Sequence, residues 1–207
     1  MRLVLVRHGE SEGNSKGIIQ GHTDFPLTGR GRAQARDLAQ RILAKNIHFD
    51  LCYSSDLSRA AETAKIVANI LNLDVLYTPL LREFNLGVLE GHKWDELCAD
   101  KRDFLDSVFK DHTKQIPKGE NINQMVTRLQ TFLEQLRQLE PQPSSVLIVC
   151  HGGSIFHILT TILKIFEPPT NEWYENCHMN EIVKDPESAQ WQLISFNEKE
   201  IEKTPNI

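Results

Sequence analysis

The sequence has few features that would cross-link the chain or anchor it in a bilayer. Its four cysteines lie far apart with no CxxC pair, which favours reduced thiols over disulfide bonds or a structural zinc site. The longest apolar stretch, residues 155–166, is interrupted by polar side chains and is shorter than the ~20 residues of a membrane span. We therefore expect a cytoplasmic protein with no membrane partner.

The chain also lacks an excess of positive charge and the common metal-binding motifs. Its formal net charge is -5 at pH 7, so a broad basic face that would neutralise a nucleic-acid backbone is not expected. There is no HExxH motif and no paired aspartate run, and the histidines show no metal-ligand spacing. We expect neither nucleic-acid binding, nor a metal, nor a cofactor.

The composition is that of an ordinary globular domain, with 40% hydrophobic and 25% charged residues. Its 207 residues contain no internal repeat or low-complexity segment, so we predict a single domain over residues 1–207. Short apolar runs rich in β-formers predict strands buried on both faces. These runs cover residues 3–6, 51–54, 75–78 and 146–150, with a late strand at or near a sheet edge over residues 190–196.

Three stretches between these runs carry apolar residues at helical spacing. The first follows a turn at Thr28, the second has Ser55 or Ser58 as its predicted N-cap, and the third is opened by Asn121. Strands and helices that alternate predict an α/β fold, a three-layer α/β/α sandwich around a mainly parallel, mixed sheet. In such a sheet the binding crevice lies beyond the carboxyl ends of the strands.

The first predicted strand ends in Arg7, His8 and Gly9, at the edge where a ligand is expected. A guanidinium offers a phosphate planar, charge-assisted donors, and an imidazole nitrogen attacks phosphorus well when a neighbour holds its other nitrogen. Gly9 allows the backbone to come close. An Arg-His pair alone is also consistent with a simple strand end. Whether Arg7 and His8 belong to a functional site therefore depends on the other segments.

Three further segments place candidate functional residues at the same edge of the sheet. Arg59 follows the second strand in the first turn of a helix, where an anion is needed to offset its charge. Glu83, after the third strand, is the candidate proton donor for a leaving alkoxide. His151 ends the fourth strand beside Gly152, and Cys150 should be a buried thiol because adjacent residues of a strand point to opposite faces.

In this order the segments resemble the histidine phosphatase superfamily, which includes cofactor-dependent phosphoglycerate mutases, the bisphosphatase domain acting on fructose 2,6-bisphosphate, and α-ribazole phosphatase. Residues 5–11 with Asn14 resemble the N-terminal signature of the family, residues 54–64 its arginine helix, and residues 147–152 its second-histidine strand. The resemblance covers nearly the whole chain and implies a phosphoglycerate mutase-like fold.

The resemblance also implies a role for individual residues. His8 would become phosphorylated, Arg7, Arg59 and His151 would bind the transferred phosphoryl group, and Glu83 would act as acid and base. Other residues implied to lie on the substrate side are Ser11, Asn14, Gln20, Gly21 and Gly152. From the residues alone, Gln20 and Gly21 could equally form an ordinary turn, and Ser11 a local cap.

The implied activity is hydrolysis of a phosphomonoester of a small phosphorylated metabolite. Mutases of the family carry a longer insertion that shields the phosphoenzyme from water, and residues 84–149 look too short for that cover. We therefore predict a phosphatase, with a cofactor-dependent phosphoglycerate mutase as the alternative. A second alternative is an inactive phosphate-binding protein of the same fold, against which the intact set of motif residues speaks.

Residues 84–121 are predicted to form a substrate-specificity insertion. The lysines between residues 93 and 118 alternate with acids, which is typical of a solvated helix face, but one or two turned inward would indicate a second phosphate or a carboxylate on the substrate. His22 and His92 lie in loops that could border the pocket. A homodimer is also expected to be possible, by pairing at the late edge strand.

Overall fold

The computed structural model describes residues 1–167 and 174–201, which form one seven-stranded sheet flanked by helices. The strands are β1 (Arg2–Arg7), β2 (Leu51–Ser55), β3 (Val75–Thr78), β4 (Ser145–Cys150), β5 (Met179–Lys184), β6 (Trp191–Phe196) and β7 (Lys199–Glu200). Their spatial order is β3-β2-β4-β1-β5-β6-β7. The predicted α/β class and the mixed sheet are confirmed.

The four strands that precede the candidate motifs form the parallel part of the sheet. β1 pairs with β4, and β2 pairs with both β4 and β3, all in parallel. β5, β6 and β7 continue the sheet in antiparallel pairings. Because parallel strands end at the same edge, the segments that follow β1, β2, β3 and β4 meet there.

Helices cover both faces of the sheet. They are α1 (Glu12–Ser15), α2 (Gly29–Ala44), α3 (Ser58–Leu71), α4 (Ala99–Lys110), α5 (Ile122–Arg137) and α6 (Gly152–Phe156), which continues as a π-helical turn (His157–Ile162). Leu147 of β4 belongs to the apolar layer of α2 and α3, whereas its neighbour Ile148 belongs to the layer of α5 and α6. This alternation is that of a strand buried on both faces. In the described part of the chain no helix is long and apolar enough to span a bilayer.

Two strands were not predicted from the sequence, and β5 shows why. Its Asn180 is fully buried and breaks the apolar pattern that marks the other strands. The Asn180 side chain donates to the Leu5 carbonyl at 3.2 Å and accepts from the Asn197 amide at 3.0 Å, so its polar atoms are satisfied inside the sheet. β7 has two residues and lies at the edge, and the predicted late strand is β6 beside it.

The predicted N-cap of α3 is wrong, although that of α5 is confirmed. Asn121 caps α5 by accepting a hydrogen bond from the Gln124 amide at 2.9 Å. α3 begins at Ser58 after Leu57, whose side chain cannot cap. Asp24 instead reaches in from a distant loop and accepts from the Ser58 amide at 2.9 and 3.0 Å. Local sequence cannot reveal a cap supplied across the fold.

The cap supplied by Asp24 should be measurable as stability. Asp24→Ala leaves the Ser58 amide at the start of α3 without its acceptor, and we expect a loss of about 1 kcal/mol in the free energy of unfolding. Asp24→Asn keeps a side-chain oxygen for this amide but removes the charge beside Arg59, so it should lose less stability than the alanine variant. Urea unfolding followed by circular dichroism measures both, and equal stability of the alanine variant and the parent would contradict the capping role.

Candidate active site

A cavity of about 810 Å³ opens at the carboxyl edge of the parallel strands. Its wall includes most of the residues implied by the sequence, namely Arg7, His8, Asn14, Gln20, Gly21, Arg59 and Glu83. His151 is fully buried and contacts the ring of His8, with 5.2 Å between the ring centroids and 62° between their planes. Segments that are far apart in the sequence are thus brought to one place by strand order.

His8 is held as a neutral imidazole with one defined tautomer. Its Nδ1 lies 2.7 Å from the Gly9 carbonyl oxygen, which can only accept, so Nδ1 carries the proton. Burial lowers the pKa of His8 well below its ordinary value, and the charges of Arg59 and Arg7 lower it further. Nε2 therefore keeps its lone pair, towards which the Arg59 Nε–H points from 3.3 Å.

The backbone around His8 is fixed by three different elements. The His8 amide donates to the Cys150 carbonyl of β4 at 3.0 Å, and the His8 carbonyl accepts from Asn176 Nδ2 at 2.6 Å. The Gly9 amide donates to the Thr63 hydroxyl of α3 at 3.0 Å. The imidazole consequently has little freedom to change its position relative to α3 and β4.

Arg59 is 1% exposed and is oriented by backbone carbonyls. Its Nη2 donates to the Gly21 carbonyl at 2.7 Å and its Nη1 to that of Thr23 at 3.3 Å, while Asp24 lies 3.6 Å from Nη1. Burial is the largest influence on the pKa of Arg59 and lowers it, but a guanidinium remains protonated in proteins. Asp24 is thus the anion that an arginine at the start of a helix requires.

Arg7 is the second cation of the cavity. Its Nη1 donates to the Tyr174 carbonyl at 2.7 Å, and within the described ranges no carboxylate forms an ion pair with it. Burial lowers the pKa of Arg7, and the charge of Glu83 partly counters this effect. Two guanidiniums at one cavity, one of them without an ion-pair partner, create a site suited to an anion.

His151 has one satisfied and one unsatisfied ring nitrogen. Its Nε2 lies 2.9 Å from the Ser55 hydroxyl, whereas its Nδ1 is buried with no hydrogen-bond partner in the part of the chain described. Burial and then the charge of Arg59 lower the pKa of His151 well below its ordinary value. A buried polar atom without a partner is uncommon in native proteins and is compatible with a ligand that completes its bonding.

Glu83 lies at the wall with its carboxylate oriented by backbone amides. Oε2 accepts from the Gly153 amide at 3.1 Å and Oε1 from the Phe84 amide at 2.9 Å. A Cβ atom at position 153 would lie 2.5 Å from Glu83 Oε1, so the carboxylate can take this place only because residue 153 is glycine. Glu83 is therefore positioned by the start of α6, the helix that follows His151.

The segment that carries Glu83 is held from behind by Arg128 of α5. Its guanidinium donates to the carbonyls of Arg82 at 2.6 Å and Glu83 at 2.8 Å, and it pairs with Glu120 at 2.8 Å. His22 contributes as well, since its Nε2 lies 2.9 Å from the Glu83 carbonyl. His22 thus supports the backbone of the site and does not line the cavity.

Two of the implied substrate contacts are not on the cavity wall. Ser11 is fully buried and caps α1: its hydroxyl accepts from the Asn14 amide at 3.1 Å and lies 2.7 Å from Gln20 Oε1. Gly152 is buried at the start of α6, and its neighbour Gly153 lines the cavity instead. Ser11 therefore orients Asn14 and Gln20, which do line the cavity.

The histidines of the loops are also distributed differently from the prediction. His92 does not line the cavity, and Lys101 donates to its Nε2 at 2.9 Å. His112 and His157 line the cavity, although nothing in the sequence singled them out as residues of the site. His157 lies in the π-helical turn, where its Nδ1 is 3.0 Å from the Thr161 hydroxyl.

Several residues that position the site have no signal in the sequence that separates them from ordinary neighbours. Thr63 lies one turn after Arg59 and would read as a neutral position on a helix. Arg128 adjoins the apolar stripe of α5, which is a weak sign of a partly buried cation. The residues that sequence reasoning missed are Ser55, Thr63, Arg128, Gly153 and Asn176.

Comparison with known proteins identifies the family. A model of the histidine phosphatase superfamily, branch 1, matches residues 3–199. The GpmB protein of Photorhabdus laumondii, whose name gives phosphoglycerate mutase as its inferred activity, is 39% identical over 165 residues, which are 79% of this chain and 75% of that protein. The chain belongs to the histidine phosphatase superfamily.

Solved structures support the same assignment at the level of fold. The α-ribazole phosphatase of Shigella flexneri superposes with a TM-score of 0.80 at 27% identity, covering 99% of this chain and 100% of that chain. The mycobacterial glucosyl-3-phosphoglycerate phosphatase in complex with VO3 gives a TM-score of 0.81 at 30% identity, covering 95% and 98%. Both similar structures are phosphatases by name.

His157 should make the stability of the fold depend on pH. Burial, with a contribution from His112, lowers the pKa of His157 from 6.5 to about 4. The unfolded chain therefore binds this proton near pH 6.5 and the folded chain only near pH 4, so stability is complete above pH 6.5 and falls as the pH decreases towards 4. Between pH 7 and 5 the loss from this residue should be about 2 kcal/mol.

Urea unfolding of the parent protein and of His157→Gln at both pH values measures this loss. The difference between the two pH values should be smaller in the variant, because glutamine does not titrate. His48→Gln, at an exposed position, is the matched control and should behave as the parent does. An unchanged pH dependence in His157→Gln would contradict the expectation.

Proposed function

We propose that the protein hydrolyses phosphomonoesters of a small phosphorylated metabolite through a phosphohistidine formed at His8. The observation that carries the proposal is a neutral, buried imidazole whose Nε2 faces a cavity flanked by two guanidiniums. The protonated Nδ1, held by the Gly9 carbonyl, makes Nε2 the nucleophile. Membership of the histidine phosphatase superfamily and the phosphatases among similar structures support the same activity.

In the first step Nε2 of His8 attacks phosphorus and the P–O bond to the alcohol breaks. The Nε–H of Arg59, which points at Nε2 in the free protein, would turn to a phosphoryl oxygen of the substrate. Arg7 and Nδ1 of His151 are the further proposed donors. Donors that are already oriented need no reorganisation in the transition state, and losing one costs about 3 kcal/mol of barrier.

Glu83 is the proposed acid and base. In the first step its carboxylic acid would protonate the leaving alkoxide, and in the second step its carboxylate would take a proton from the water that attacks the phosphohistidine. The Gly153 and Phe84 amides hold the carboxyl group in place for both steps. In this scheme the positive charge of the arginines does the work of a metal ion, so the reaction is proposed to need no metal and no cofactor.

A cofactor-dependent phosphoglycerate mutase is the second candidate, favoured by the name of the GpmB relative. A mutase passes the phosphoryl group from the histidine to a second hydroxyl and must keep water out. Here Trp94 and Phe109 at the cavity rim are 46% and 51% exposed, which supports an open site that water enters. We therefore favour hydrolysis.

The proposed setting is the cytoplasm, with a small metabolite as the partner and neither nucleic acid nor membrane involved. Pairing of two copies at the sheet edge stays a prediction.

His8→Ala should abolish turnover, because it removes the group proposed to accept the phosphoryl group. The parent protein, quenched during turnover of a ³²P-labelled phosphomonoester, should carry an acid-labile, base-stable label that the variant lacks. Exposed His48→Ala is the matched control and should keep both activity and label. A folded His8→Ala protein with full activity would refute the mechanism.

Addition of 3-phosphoglycerate with a trace of 2,3-bisphosphoglycerate separates the phosphatase from the mutase, since isomer exchange without phosphate release would indicate a mutase.

Glu83→Gln should affect substrates according to their leaving groups. With an alkyl phosphate, whose alkoxide needs a proton, we expect kcat/KM to fall by a factor of about 10² to 10⁴. With p-nitrophenyl phosphate, whose leaving group is stable as an anion, the fall should be much smaller. Steady-state kinetics on both substrates measure the difference. Equal losses would remove Glu83 from the acid role and leave His8 in place.

A further inference from the structure

The cavity extends beyond the phosphate-binding residues along a wall of large apolar side chains. This apolar wall consists of Ile18, Phe84, Leu86, Trp94, Phe109 and Phe156. Trp94 and Phe109 stand at its rim and are about half exposed, whereas the other described aromatic side chains apart from Tyr77 are buried or partly buried. Apolar surface that stays open beside polar groups marks binding sites in soluble proteins.

Among the described residues, the cavity wall offers no further arginine or lysine for a second anionic group. Among the described residues, Arg7 and Arg59 are the permanent cations on its wall, and both act at His8. The lysines of residues 93–118 do not line it. Lys93 pairs with Glu96 at 2.7 Å and Lys114 donates to the Ser107 hydroxyl at 2.6 Å. The interpretation of these lysines as a solvated face is therefore favoured over a role in binding substrate.

The π-helical turn contributes polar side chains that are uncharged near neutral pH. They are His157, Thr160 and Thr161, which lie beyond the contact between Gly153 and Glu83. Burial keeps the pKa of His157 at about 4, so its ring is neutral. π-Helical turns occur often at functional sites. Hydroxyls and a neutral imidazole can bond a polar group of a ligand but give little compensation for a buried charge.

Resting on the phosphatase function proposed above, we propose that the natural substrate is the phosphomonoester of an uncharged alcohol with a bulky apolar or aromatic body. The phosphate occupies the arginine end of the cavity, and the organic part lies along the apolar wall. A carboxylate or second phosphate in that place would lose its hydration without gaining an arginine or lysine as its partner. A phosphoglycerate is a poor match for such a wall.

Three phosphates of primary alcohols test the proposal, because their alkoxide leaving groups are similar and differences report on the cavity. They are n-propyl phosphate, 3-phenylpropyl phosphate and 3-carboxypropyl phosphate. We expect kcat/KM for the phenyl compound to exceed that for the propyl compound by about 10- to 100-fold, from burial of the ring. The carboxyl compound should be no better than the propyl compound.

Variants of the rim assign the preference to the apolar wall. Trp94→Ala and Phe109→Ala each remove one aromatic face, and each should lower the ratio of kcat/KM for the phenyl and propyl compounds by at least about threefold. Tyr77→Ala is the matched control, since Tyr77 is an aromatic residue of β3, 50% exposed and not on the cavity wall. It should leave the ratio unchanged.

The outcomes separate this proposal from the one on which it rests. If all three compounds are hydrolysed in a reaction that depends on His8, but the phenyl compound is no better than the propyl compound or the carboxyl compound is the best, the substrate class is wrong and the phosphatase stands. An unchanged ratio in both rim variants would also overturn the proposal. If none of the three is hydrolysed and no label forms on His8, both proposals fail.

Discussion

Two buried guanidiniums beside an uncharged imidazole are the arrangement on which the rest of this structure depends. Burial, and then the charges of Arg59 and Arg7, lower the pKa of His8 and so keep its Nε2 free of a proton. The same two charges need an anion, and in the free protein backbone carbonyls and Asp24 meet only part of that need. In the proposed function, this one electrostatic arrangement would both prepare His8 as the nucleophile and attract the phosphate that it attacks.

This concentration of charge is tolerated because polar contacts across the fold hold each member in place. The Thr63 hydroxyl accepts from the Gly9 amide and donates to the Arg59 carbonyl at 2.7 Å, so one small side chain links the segment of His8 to the helix of Arg59. Arg128 of α5, in the opposite layer of the sandwich, holds the backbone of Glu83 by donating to its carbonyl. These hydrogen bonds connect segments that are far apart in the sequence.

Much of the fold was accessible from the sequence, because strands buried on both faces are continuous apolar runs and their carboxyl ends must meet. That rule predicts that His8, Arg59 and His151 lie together at one edge of the sheet, and the family resemblance adds the roles proposed for them. The contacts that the sequence did not reveal are tertiary: Asp24 supplies the cap of α3 from another loop, and Asn180 satisfies its amide within a strand that looks polar. Ser11, which the family resemblance implied to be a substrate contact, is the N-cap of α1, the alternative that the sequence had left open.

The two ends of the cavity originate in different parts of the chain. The proposed phosphate end is built by β1, α3 and the start of α6, whereas Phe84, Leu86, Trp94, Phe109 and His112 all come from the one continuous segment between β3 and α5. The part of that segment that follows Glu83 and Phe84 could differ in sequence or length while Glu83 and the ends of the parallel strands keep their places. In the proposed function, changes in residues 85–121 would then suit the cavity to other alcohols without altering the proposed catalytic residues.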